Sequence, residues 1–261
     1  MEVNGYKIEP GANLSGADLG GADLGGADLY GSDLTYANLT GVSLYDADLT
    51  GANLRGALLR GASLQYAELG STDLSGVQME GANLDGANLA EANLFTANCE
   101  GVNLGGANLR GANLMLTYLF TADLSEASLR QANLERANME RANMMDADLT
   151  SAILQGAKLD SANLSGANLS GANLTDTKLR HTILSGANLS GVNLSSSNLS
   201  GANLSGANLS GANLSAGAPA NSGFGAFRGA GANLRGANLS AANLSGALLR
   251  GATMPDGSIH D

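Results

Sequence analysis

Leucine recurs at every fifth residue from Leu14 to Leu214, and in 41 consecutive slots only Met79, Cys99, Met139 and Met144 replace it. Two residues before each slot stands Ala or a small substitute such as Ser32, Val42, Thr72 or Thr177. The residue between them is usually Asn or Asp, and Gly, a turn residue, is frequent two residues after the slot. An α-helix repeats every 3.6 residues and a strand every 2, so neither keeps one residue type on one side over such a length. A short, strict period marks a solenoid. The size limit at the Ala position marks a crowded inward site.

Composition supports this reading and removes others. The chain has 37 Gly, 3 Pro, no Trp and 4% aromatic residues in 261. Text so rich in Gly and Ser often belongs to linkers, but a linker has no reason to hold Leu in phase. The formal charge of -11 argues against direct nucleic-acid binding, which needs clustered cations to displace counterions. An acidic surface attracts basic partners instead. With Cys99 as the only cysteine, no disulfide can form within the chain. No basic segment followed by an apolar run opens the sequence, and no apolar stretch reaches the ~18 residues of a membrane span. A cytoplasmic location is the expectation.

The five-residue units Ala-Asn-Leu-Ser-Gly and Ala-Asp-Leu-Gly-Gly resemble the pentapeptide-repeat family, with its A(D/N)LXX pattern, over residues 11 to 254. The resemblance implies an all-β fold, the right-handed quadrilateral β-helix, with four repeats per coil. Leu and Ala point inward there, and the other three positions face water. Forty-one repeats then make about ten coils, or about 50 Å at a strand spacing of ~4.8 Å.

Five segments follow. Residues 1–10, with Tyr6 and Ile8 alternating before Pro10, form an N-terminal cap strand, and 11–214 form the continuous β-helix. Residues 215–233 break the pattern, although Leu214 and Leu234 are 20 apart, the length of one coil. Two readings of that stretch stand. A degenerate coil, favoured by the spacing, puts Phe224 in a Leu slot and Pro219 and Gly229 in two others. A loop would leave the rod and return to the same face. Residues 234–254 are final repeats. Residues 255–261 are a C-terminal cap in which Pro255-Asp256-Gly257 signals a turn and Ile259, five after Met254, seals the last coil. This tail resembles the ending of pentapeptide-repeat proteins from cyanobacteria.

The usual catalytic motifs are absent. His181 and His260 have no Cys or Glu at metal-ligand spacing, and Gly falls at repeat corners instead of in a phosphate-binding loop. Carboxylates on a convex rod have no cleft to shift their pKa values. No enzyme activity, cofactor or metal is expected. Leu104, Cys99, Met139 and Met144 read as core slots, with Cys99 an inert buried hydrophobe.

The departures from the repeat are the informative positions. Phe95 and Met115 stack in adjacent coils, Leu116 lies at the corner, and Tyr118 and Phe120 follow on the next face, all in outward slots. Such a patch at mid-rod marks an interaction site. Glu80, Glu100, Glu140 and Asp160 share one outward column with Phe120 among them and Arg60 and Arg180 at its ends. Residues 161 to 215 are nearly all Ser, Gly and Asn outside, and read as spacer. The leading expectation is a monomeric, non-enzymatic scaffold for an unidentified protein partner, with no membrane and no direct nucleic-acid contact. The resemblance also implies an alternative, an acidic DNA mimic acting on a type II topoisomerase. A purely structural spacer is the third.

Overall fold

The computed structural model describes residues 1–215 and 228–261. Parallel bridges join residues 20 apart, from Asn13↔Asp33 through Asn193↔Asn213. One turn of the chain is therefore 20 residues and four pentapeptides, a quadrilateral β-helix. We number the faces by the residues that open their columns: face one from Asn13, face two from Asp18, face three from Asp23 and face four from Asp28.

Each face is stitched to the next coil by the same two bonds. The Leu14 N–H donates to the Asp33 carbonyl at 2.7 Å, and the Asp33 N–H donates to the Ala12 carbonyl at 2.9 Å. In the interior coils the backbone around each described slot thus bonds to the coils above and below, and the Leu and Ala side chains are left inside. Leu104, Cys99, Met139 and Met144 are all 0% exposed. Each buried Leu contributes roughly 1.5–3 kcal/mol. A hydroxyl is tolerated in the Ala slot because a carbonyl takes its proton: Thr72 Oγ1 donates to Leu49 O at 2.8 Å and Thr117 Oγ1 to Leu94 O at 2.8 Å.

The corner explains the glycines. Ala17 N–H donates to Leu14 O at 3.0 Å, closing a turn in which Gly16 has φ +66°. A positive φ at the third turn residue defines type II and favours Gly there. The corner is imposed even where Gly is absent, as at Tyr36 (φ 57°), Arg136 (φ 56°) and His181 (φ 57°). Gly at one corner also makes room for a ring at the corner below. A Cβ built on Gly56 would stand 2.6 Å from Tyr36 Cε1, and one on Gly86 would stand 2.7 Å from Tyr66 Cε1.

The Asn/Asp position is not simply turned to water. Its side-chain oxygen accepts the N–H two residues on, as from Gly105 to Asn103 Oδ1 at 3.0 Å. Its amide donates to the residue one coil earlier, as from Asn103 Nδ2 to Asn83 Oδ1 at 3.1 Å. Asn at this position continues the ladder in both directions. Asp can only receive, so Asp18 and Asp123 accept from Asn38 and Asn143 above them.

Both ends differ from simple repeats. Residues 1–10 carry a hairpin, β1 (Glu2–Val3) and β2 (Tyr6–Lys7), turned at Asn4-Gly5, and Ile8 is buried beside it. At the other end Thr253 pairs antiparallel with Ile259. That reversal takes the tail out of the five-residue phase, so Ile259 is 61% exposed and does not seal the last coil.

Across residues 215–233 the register is not the one that favoured a degenerate coil. Asn203 bridges Asn233 and Asn213 bridges Asn243, a step of 30. Leu234 therefore stands over Leu204, through Leu204 N to Asn233 O at 2.7 Å, and not over Leu214. Ten residues beyond one coil separate these levels. Gly229 does take a buried inward slot, with its N–H on Leu248 O at 2.9 Å. Pro219 and Phe224 lie outside the described residues.

Two stability changes follow. Leu104→Ala should lower the unfolding free energy by about 2–5 kcal/mol, read from urea denaturation followed by circular dichroism. Gly56→Ala should cost about 1 kcal/mol or more because an Ala must enter the left-handed region beneath the Tyr36 ring. Adding Tyr36→Ala should return the part due to collision, measured as a double-mutant cycle.

Candidate interaction surface

The patch at mid-rod is built by five outward side chains in two consecutive coils. Thr96 N–H donates to Met115 O at 3.2 Å, which fixes the strand of Met115 directly above that of Phe95 on face one. Leu116 follows at the corner with φ 59°. Tyr118 and Phe120 then lie on face two with rings nearly parallel, 6.1 Å between centroids and 15° between planes. Their positions are two apart on one strand, so both point to the same side of it. Phe95, Leu116 and Tyr118 are exposed, whereas Met115 and Phe120 are half-buried. Phe120 is partly covered because the Arg141 guanidinium lies over its ring, 5.7 Å from the centroid, in the range of a cation–π contact.

The charged column stands in register on face two. Successive bonds run from Gly61 N to Glu80 O, Gly81 N to Glu100 O, Gly101 N to Phe120 O, Thr121 N to Glu140 O and Arg141 N to Asp160 O. Its members are not equivalent. Glu80 is taken up by Arg60, with Nε to Oε2 at 3.2 Å, and by Asn98 Nδ2 at 2.8 Å. Asp160 Oδ1 accepts the backbone N–H of Arg180 at 2.7 Å. Among the described residues, the carboxylates of Glu100 and Glu140 have no ion pair or side-chain hydrogen bond. These two are one coil below and one coil above Phe120. The surface is thus an aromatic centre between two uncommitted carboxylates, with a cation on its edge.

The described residues hold no group of three His, Cys, Asp or Glu that could bind a metal ion, and no helix long and apolar enough to cross a membrane. A cleft of about 410 Å³ lies between Asp160, Asp176, Lys178, Arg180, Ser196 and Asn198, where cations and carboxylates line the wall together. Burial, aided by the charge of Glu80, pushes the Cys99 thiol far above its usual range, so no thiolate nucleophile forms near neutral pH.

Sequence reasoning missed a second aromatic group. Tyr30, Tyr36, Tyr45 and Tyr66 are each more than half exposed in the early coils. Tyr45 and Tyr66 form an edge-to-face pair with centroids 5.7 Å apart and planes at 81°. The signal was present in the composition, since five of the six tyrosines fall within residues 6 to 66.

The chain belongs to the pentapeptide-repeat family. The family model for pentapeptide repeats matches in eight copies, over residues 12–51, 43–81, 72–111, 97–136, 122–160, 147–186, 187–216 and 230–256. Among solved structures it is similar to HetL, a pentapeptide repeat protein involved in heterocyst differentiation regulation from the cyanobacterium Nostoc sp. strain PCC 7120. Identity there is 38%, over 84% of this chain and 92% of that one, with a TM-score of 0.46. Rfr23 from the cyanobacterium Cyanothece 51142 is 30% identical over 63% of this chain and 91% of its own, with a TM-score of 0.18. Full-length QnrB1, a plasmid-mediated fluoroquinolone resistance protein, is 16% identical over 69% of this chain and 92% of its own, with a TM-score of 0.31. No curated protein matches the chain.

The buried thiol gives a pH test. Its value is raised in the folded chain, so its contribution is complete below the free-thiol pKa of about 8.5. Above that pH the unfolded chain loses the proton while the folded chain keeps it, and stability falls. The loss should approach about 1.4 kcal/mol per pH unit. Denaturation of wild type and Cys99→Ala between pH 7 and 10 should show this slope as a difference between the two.

Proposed function

We propose that the protein is a non-enzymatic scaffold that holds a protein partner against the mid-rod patch of Phe95, Met115, Leu116, Tyr118 and Phe120. The observation that carries the reading is the stacked Tyr118–Phe120 pair, set between the uncommitted Glu100 and Glu140. Aromatic side chains anchor interfaces because they bury large area at low entropic cost. A rigid repeat presents them already positioned, which reduces the ordering cost of binding. Glu80 and Asp160, engaged within the rod, shape the flanks of the surface. The rod acts as a monomer in the cytoplasm and needs no cofactor, and its partner is a protein rather than nucleic acid or membrane.

Affinity capture from native lysate tests the reading with Phe95→Ser/Tyr118→Ser/Phe120→Ser as the control. The variant should keep its circular dichroism spectrum and lose the specific partner by at least about tenfold, a loss of about 1.4 kcal/mol. Equal recovery by wild type and a folded variant would remove the patch from the function.

The DNA-mimic reading draws on the acidic charge of -11. It predicts that the purified protein changes supercoiling by a type II topoisomerase or its inhibition by a quinolone. The scaffold reading predicts no change in either assay.

A further inference from the structure

The charge of this rod is confined to one end. Residues 1–100 hold 14 of the 24 Asp and Glu but only 3 of the 13 Lys and Arg, so they carry the whole formal charge of -11 and the remainder is neutral. The exposed tyrosines share that end. The Tyr45–Tyr66 pair stands at the corner between faces three and four, and Tyr30 stands at the far edge of face four. Between them on face four, Asp28, Asp48 and Glu68 are direct bridge partners in successive coils. Like charges set opposite one another on neighbouring strands destabilise the sheet, and here they repeat at ~4.8 Å. No ion pair engages any of the three among the described residues.

The aromatic pair is held in place rather than loosely attached. Tyr66 rests over Gly86, where a Cβ would collide with its ring, and meets Tyr45 edge to face. Gln65 precedes Tyr66 and follows Tyr45 in the same column, through Asp46 N to Gln65 O at 3.0 Å. Its Oε1 is buried and has no hydrogen-bond partner, an acceptor in want of a donor. The surface therefore offers phenol faces and a ladder of carboxylates that no ion pair engages among the described residues.

We propose that this N-terminal stretch of face four, from the Tyr45–Tyr66 corner to Tyr30, is a second docking surface whose occupant is an arginine-bearing segment of a partner protein. Guanidinium fits both features. It pairs with carboxylates in two-point geometry, stacks on aromatic faces and supplies several N–H donors. An ammonium does the first only as a point charge. The surface is separate from the mid-rod patch, which lies on faces one and two in later coils, so either can fail without the other.

The test is fluorescence polarisation with a labelled peptide of four arginines spaced by glycine, and a matched lysine peptide, at 50 and 200 mM salt. Wild type should bind the arginine peptide about tenfold more tightly than the lysine peptide, and both should weaken with salt. Tyr45→Ser/Tyr66→Ser and Asp48→Asn/Glu68→Gln should each lose about tenfold. Glu126→Gln/Asp146→Asn, on the same corner three and four coils further along, should bind as wild type. Circular dichroism confirms that each variant is folded. Unchanged binding by the folded tyrosine variant, equal affinity for the two peptides, or equal loss in the distant carboxylate variant would each overturn the proposal.

Discussion

Every coil of this rod is completed by its neighbour. A slot Leu is buried only when the coil above covers it, and its N–H is bonded only when that coil presents a carbonyl, as Asp33 does for Leu14. The corner makes this possible. A left-handed residue two places after the slot, at each described corner from Gly16 to Gly251, turns the chain by the same amount each time, so four short strands close a square and the fifth starts above the first. Core, ladder and corner are consequences of one five-residue unit. Stability then grows with nearest-neighbour contacts along a line, as expected for a solenoid, and side chains outside the core are largely released from holding the fold.

That release is where function can enter. At the corners Gly is preferred yet dispensable, and Tyr36, Tyr66, Leu116 and His181 all occupy the same strained backbone. On the flat faces, the position before the slot accepts Tyr118, Lys158 or Ile183 as well as Asn, at the loss of one rung of the amide ladder. The cost is local and the geometry is fixed, so a side chain placed outward is presented at a defined height and face. The aromatic stack beside Glu100 and Glu140 is such a placement, and the tyrosine corner near the N-terminus is another.

The fold was legible because its signal is phase, and phase survives substitution. Cys99 and Met139 could be assigned to the core from position alone, and both are buried. Two things were not legible. The amide ladder depends on the direction of a side-chain hydrogen bond, which a preference for Asn over Asp suggests only once the coils are stacked. The register across 215–233 was hidden for a sharper reason. An insertion of ten residues is a multiple of five, so it preserves the slot phase while moving the chain on by two faces. Leu234 keeps time with Leu214 yet stands over Leu204. Of the candidate surface, membership in one column or corner followed from dividing by 20. Which carboxylates were already spent, Glu80 on Arg60 and Asp160 on the Arg180 backbone, needed the side chains.

On the proposed reading the regular coils set length and the departures from them carry binding. That reading is tested most directly by deleting residues 186–205, one whole turn of plain repeats, and measuring partner recovery together with thermal unfolding. The expected result is a folded rod, one coil shorter, that recovers the same partner as wild type because the mid-rod surface and its register are untouched. A folded deletion variant that no longer recovers that partner would contradict it, since the run of Ser, Gly and Asn would then be part of the binding surface itself.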